Sequence, residues 1–117
     1  MVTPLTIDAH RTDLGAGVLS LHGEVDVANS HQVREAALSL LAGGVKGLVI
    51  DLSATAYLDS AGLGILVGLL KRVKESGVTM AIAGPQPQVK RLFEITRLNQ
   101  VFSMHEDVTS ALQEVAG

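Results

Sequence analysis

The strongest constraint on this chain is a strand-to-helix passage in its middle. Gly47-Leu48-Val49-Ile50-Asp51 is an apolar run of strand length, rich in branched side chains. Beyond it, Leu63, Leu66, Val67, Leu70 and Val73 recur at helical spacing. The turn between them carries Asp59-Ser60-Ala61-Gly62-Leu63-Gly64. It therefore lies at the carboxyl end of a buried strand and the amino end of a helix. A serine there is exposed and faces the unpaired N–H groups of a first helical turn, a setting that tolerates a phosphate.

The flanking sequence extends the pattern. Leu5, Ile7 and Ala9 alternate with polar residues as in a half-exposed edge strand. Arg11 to Gly17 suits a hairpin turn, so the strand at Val18 to Val25 should run antiparallel to the first. Asn29 with Gln32 resembles a capping box opening a helix, whose inner face is Val33, Ala36, Ala37, Leu40 and Leu41 and whose end is Gly43-Gly44. After the central passage, Thr79 to Ala83 reads as another buried strand and Gln86 to Thr96 as a helix. Val101 to Met104 suggests a last short strand, and Asp107 can cap a terminal helix. The alternation predicts one α/β domain over residues 1–117, with a mixed, mostly parallel sheet of about four to five strands and about four helices packed on it.

Composition removes several function classes. Charged residues are 18% and apolar residues 47%, proportions of a globular chain rather than a disordered one. Nine basic and 12 acidic residues give a net charge of −3. Lys71-Arg72-Val73-Lys74 complements a helix dipole rather than forming a nucleic-acid footprint. The absence of cysteine excludes disulfides and thiolate chemistry. No run approaches the roughly 18 apolar residues a membrane span needs, and no leader pattern opens the chain. A cytoplasmic protein, monomeric or weakly dimeric, without nucleic-acid or membrane partners, is expected.

Ser60 admits three roles. Ser60 or Asp59 can simply cap the helix. A nucleophile is the second, but the hydrolase elbow Gly-x-Ser-x-Gly lacks its first glycine in Leu58-Asp59-Ser60-Ala61-Gly62. The third is a phosphate acceptor. Gly62-Leu63-Gly64 is no dinucleotide turn, since the third glycine position holds Val67, and no Gly-Lys-Ser or Gly-Lys-Thr marks a P-loop. Asp26, Asp51 and Asp59 fall near strand ends and could hold Mg²⁺, but such aspartates more often serve as turn and cap residues. No cofactor or metal is expected. Around the central helix, the side opposite the buried stripe presents Ala61, Gly64, Ile65, Gly68 and Arg72. Its glycines suit either close packing inside the domain or a docking face.

Asp59-Ser60-Ala61-Gly62-Leu63-Gly64, preceded by Asp51-Leu52-Ser53, resembles the signature of bacterial anti-sigma factor antagonists, stand-alone STAS domains. Leu21-His22-Gly23-Glu24-Val25-Asp26 and Val89-Lys90-Arg91-Leu92-Phe93 agree, and the likeness runs over roughly residues 4 to 116. The resemblance implies a partner-switching protein and not an enzyme. Its unphosphorylated form would bind an anti-sigma factor that is also a serine kinase, releasing a sigma factor. Phosphorylation of Ser60 would separate the pair, and a serine phosphatase would reverse it. Asp26, Asp59, Ala61, Gly62, Gly64, Ile65, Gly68 and Arg72 are the expected partner-binding residues. Ala61 replaces a second serine common at that place, and Arg97 and Asn99 flank Leu98 where many members carry Gly-Leu. The alternative is a constitutive STAS subunit of a transporter or stress-signalling scaffold, in which Ser60 is only a helix cap.

Overall fold

The computed structural model describes residues 3–116, with the side chain of Ala116 left aside. Its elements are β1 (Thr6–Arg11), β2 (Ala16–Val25), α1 (Ser30–Ala42), β3 (Gly47–Asp51), β4 (Thr55–Leu58), α2 (Ser60–Glu75), β5 (Thr79–Ala83), α3 (Pro87–Ile95), a 3₁₀ turn (Leu98–Gln100), β6 (Ser103–His105) and α4 (Val108–Ala116). The strands join in the order β1-β2-β3-β5-β6, and β4 pairs with the far half of β2. Only β1 and β2 are antiparallel, and the other pairings are parallel. The mixed, mostly parallel sheet and four helices are those expected, with one strand beyond the expected range.

That extra strand is β4, which the sequence pattern reads as turn. Its four residues are too few to show a period, and only Thr55 and Leu58 are buried. It forms because β2 changes partner along its length. Ala16 to Ser20 pair with β3, and Gly23 to Val25 pair with β4 across a bulge at Gly23/Glu24. At that switch the buried Thr55 hydroxyl donates to the Leu21 carbonyl at 2.6 Å. Gly23 has φ +104, and a Cβ there would stand 2.3 Å from the Pro4 carbonyl oxygen, so no other residue fits.

The two sheet faces carry different cores. Leu19, Leu21, Leu48, Ile50, Met80 and Ile82 meet α1, α2 and α3 on one face. Ala16, Val18, Val49, Ala81 and Ala83 form the other, where small side chains let α4 lie close through Ala111 and Val115. Phe93 and Phe102 pack edge to face at 5.5 Å.

Two local expectations change, and one turn has an unusual backbone. Asn29 makes no side-chain cap to α1, so the capping box with Gln32 does not form. Instead Asn29 folds back, accepting from the Asp26 amide at 2.9 Å and donating to the Glu24 carbonyl at 2.9 Å. Val67 is half-buried, and the inner stripe of α2 runs through Leu63, Leu66, Leu69, Leu70 and Val73. Arg97 takes a left-handed conformation, φ 62 and ψ 14, a setting that favours glycine.

Candidate functional site: the amino end of helix α2

Ser60 is exposed and is the first residue of α2. The cap is the preceding residue. Asp59 is extended, φ −93 and ψ −178, and its Oδ1 accepts from the Gly62 amide at 2.9 Å. The capping role is therefore filled by Asp59, and the Ser60 hydroxyl is left free for other chemistry. The Leu63 amide donates to the Asp59 carbonyl at 2.9 Å, which closes the first turn. The amides of Ser60 and Ala61 precede any possible i−4 partner and point out of the helix end.

Asp59 also reaches across to the loop after β2. Its Oδ2 accepts from the Val27 amide at 3.1 Å, and its own amide donates to the Val25 carbonyl at 3.1 Å. Asp26 in turn accepts from the amides of Ala28 at 2.9 Å and Asn29 at 3.2 Å. The β2 end and the α2 start are thus one hydrogen-bonded unit with Asp26, Asp59 and Ser60 together. Asp51 belongs elsewhere: it accepts from the Ser20 hydroxyl and the Ser53 amide, both at 3.0 Å. Among the described residues no three acidic or histidine side chains converge as a metal site.

The remaining expected residues divide by the face of α2 on which they lie. Gly64 and Gly68 are exposed, and a Cβ at either would meet no atom within 4 Å. They are not used for close packing within the domain. With Ile65 and Arg72 of α2 and Arg34 and Leu38 of α1 they line an open groove of about 250 Å³. Ala61 is half-buried. Gly62 departs from the partner-facing set: it is buried, and a Cβ would stand 2.6 Å from Leu58 and 2.8 Å from Val25. It lets α2 approach the ends of β2 and β4.

Two features were invisible in sequence. Val27 and Tyr57 are large exposed apolar residues on the segments leading into the site, which the β2–β4 pairing and the Val27–Asp59 hydrogen bond bring together. Far from Ser60, the Ser103 hydroxyl contacts Glu114 at 2.6 Å and His105 Nε2 at 3.2 Å, and the same nitrogen lies 3.3 Å from Glu114. Because one ring nitrogen meets both partners, this is a clasp between β6 and α4 and lacks the serine–histidine–acid relay of a hydrolase. The Ser103 hydrogen bond, chiefly, holds the Glu114 carboxyl below its ordinary range, aided by His105 and opposed by partial burial.

A six-stranded mixed sheet with α2 springing from an aspartate-capped, exposed serine defines a STAS domain. The chain belongs to the STAS domain family, which it matches over residues 7–111. It is similar to the anti-sigma-B factor antagonist of Staphylococcus aureus (strain NCTC 8325 / PS 47), with 32% identity over 84 residues, 72% of this chain and 78% of that protein. The crystal structure of an anti-sigma factor antagonist from Mycobacterium paratuberculosis superposes with a TM-score of 0.90 and 27% identity, covering all of both chains. The Bacillus cell fate determinant SpoIIAA in its phosphorylated form shares the fold, with a TM-score of 0.74 and 19% identity over 94% of this chain and 99% of that one. No helix among the described residues is long and apolar enough to cross a membrane.

Proposed function

We propose that this chain is an anti-sigma factor antagonist controlled by phosphorylation at Ser60. Its unphosphorylated form binds an anti-sigma factor with serine kinase activity, and a sigma factor is released. The kinase transfers the γ-phosphoryl group of ATP to the Ser60 hydroxyl, giving ADP, and the complex separates. A serine phosphatase hydrolyses the ester and restores binding. The observation that carries this reading is the exposed Ser60 hydroxyl, left free because Asp59 caps the helix. Beside it, Gly64, Ile65, Gly68 and Arg72 offer an open groove as the docking face. The names of the Staphylococcus and Mycobacterium relatives support the general role, and SpoIIAA supplies a STAS fold with a phosphorylated form.

A phosphoserine carries about −1.5 to −2 charges at neutral pH. The helix dipole favours it by roughly 0.3–1 kcal/mol, and the neighbouring carboxylates of Asp59 and Asp26 oppose it by a comparable amount. The fold is therefore retained, and the effect falls on the interface. Incubation with the cognate kinase and ATP should add one phosphate, located at Ser60 by mass spectrometry and lost in Ser60→Ala. A phosphate on Ser53 or Thr55 instead would show the assignment to be wrong.

A further inference from the structure

The loop between β2 and α1 is held more firmly than its exposure suggests. Val27 at its tip is 78% exposed, and Tyr57 on β4 is 51% exposed. Single apolar residues at a surface are ordinary. What distinguishes Val27 is the backbone beneath it. The amide of Asp26 donates to Asn29 Oδ1, that of Val27 to Asp59 Oδ2, and those of Ala28 and Asn29 to Asp26 Oδ1. The Ser30 amide donates to the Asp26 carbonyl at 2.8 Å. Five successive amides are satisfied within the protein, so the loop is ordered before any partner arrives. Backbone that is already ordered loses little further conformational entropy when its side chain is buried, and a branched valine has few rotamers to lose.

The bond that ties the tip to the start of α2 is the one from Val27 to Asp59. The same carboxylate caps the helix through its other oxygen. We propose that Val27 is an apolar anchor for the anti-sigma factor and that Asp59 is the positioning residue that presents it. Ser60 then acts on binding through Asp59, an inference that rests on the reading of Ser60 as phosphate acceptor. A phosphate one residue away repels the Asp59 carboxylate and competes for the same helix-start amides. Asp59 withdraws, and the Val27 amide loses its acceptor. The complementary surface on the partner is an apolar pocket with a basic rim, because the anchor is flanked by the carboxylates of Asp26 and Asp59.

The test is calorimetric titration of the purified cognate anti-sigma factor with the unphosphorylated wild type, Val27→Ser, Asp59→Ser and the double variant. Serine at 59 still caps α2 but frees the Val27 amide. Val27→Ser should weaken binding about tenfold, equivalent to about 1.4 kcal/mol, with an unchanged melting temperature. Asp59→Ser should weaken it similarly, and the double variant no further, the non-additivity that marks residues acting as one unit. Full additivity overturns the positioning role. Unaltered affinity in Val27→Ser, with Ser60 still labelled by the kinase, overturns the anchor and leaves the Ser60 reading standing. Wild type that does not bind overturns both. A partner-free arm follows the Val27 amide by NMR: its hydrogen exchange should accelerate in Asp59→Ser and on phosphorylation. Unchanged exchange on phosphorylation overturns the coupling.

Discussion

Three glycines within the first three turns of α2 should answer the same substitution with opposite signs. Gly64 and Gly68 are exposed, and a Cβ at either meets nothing within 4 Å. Replacement by alanine there gains helix propensity, about 1 kcal/mol each, with no packing term against it. In a domain of 117 residues each should raise the melting temperature by roughly 4 °C. Gly62→Ala gains the same propensity, but its methyl must enter a space bounded by Leu58 Cδ1 at 2.6 Å and Val25 Cγ1 at 2.8 Å. Leu58 can turn away, whereas the branched Val25 side chain is stiff. Overpacking of this kind costs typically 1–3 kcal/mol, so the net change should be a loss of about 1 kcal/mol. Urea and thermal melts of the three single variants decide the matter. Gly64→Ala and Gly68→Ala falling alongside Gly62→Ala would show that the outer face of α2 packs inside the domain, and the docking groove would have to be abandoned. Leucine at 64 or 68 should keep the fold and weaken the anti-sigma complex, because the added bulk fills the groove.

Other elements give further checks. Arg97→Gly should stabilise by about 0.5–1 kcal/mol, because a left-handed non-glycine residue costs roughly 1–2 kcal/mol, partly offset by glycine's freedom in the unfolded chain. A null result in a chemical melt would mean that Arg97 is not strained. Thr55→Val should cost about 1–3 kcal/mol, since the Leu21 carbonyl loses its buried donor. An unchanged denaturation midpoint would remove the importance given to the β2 partner switch. The lowered Glu114 carboxyl contributes stability above its ordinary pKa of 4.5, and loses it as pH falls through the folded value. Ser103→Ala removes the main cause, so acid unfolding should begin at higher pH, by an effect under about 1 kcal/mol given the exposure of the pair. Identical acid titrations of variant and wild type would contradict this.

Much of the fold was legible because long periodic segments announce themselves. Helix α2 shows its apolar stripe over four turns, and β3 and β5 are unbroken apolar runs. Strand β4 was hidden, because its pairing is set by a bulge in β2 rather than by its own four residues. Asn29 carried a true polar signal with the wrong target, since Asp26 and Glu24 outcompete the helix amides for its side chain. Ser60 and Asp59 were readable from the strand-to-helix passage, but their division of labour was not: either could cap, and the geometry gives the cap to Asp59. Gly62 was counted among the partner-binding residues, yet the first turn tips it against Val25 and Leu58. Val27 gave no sequence signal, because its setting depends on a contact between residues 32 apart in the chain.

In the proposed switch, a phosphate on Ser60 controls partner binding while the domain stays folded. The most direct measurement compares the affinity of unphosphorylated and Ser60-phosphorylated protein for the cognate anti-sigma factor, with NMR spectra of both forms recorded in parallel. Phosphorylation should weaken binding roughly a hundredfold, about 2.7 kcal/mol, with spectral shifts confined to the loops around Asp26 and Ser60. Ser60→Asp, with one charge and less bulk, should fall between the two forms. Equal affinities, or shifts spread through the whole core, would contradict the account.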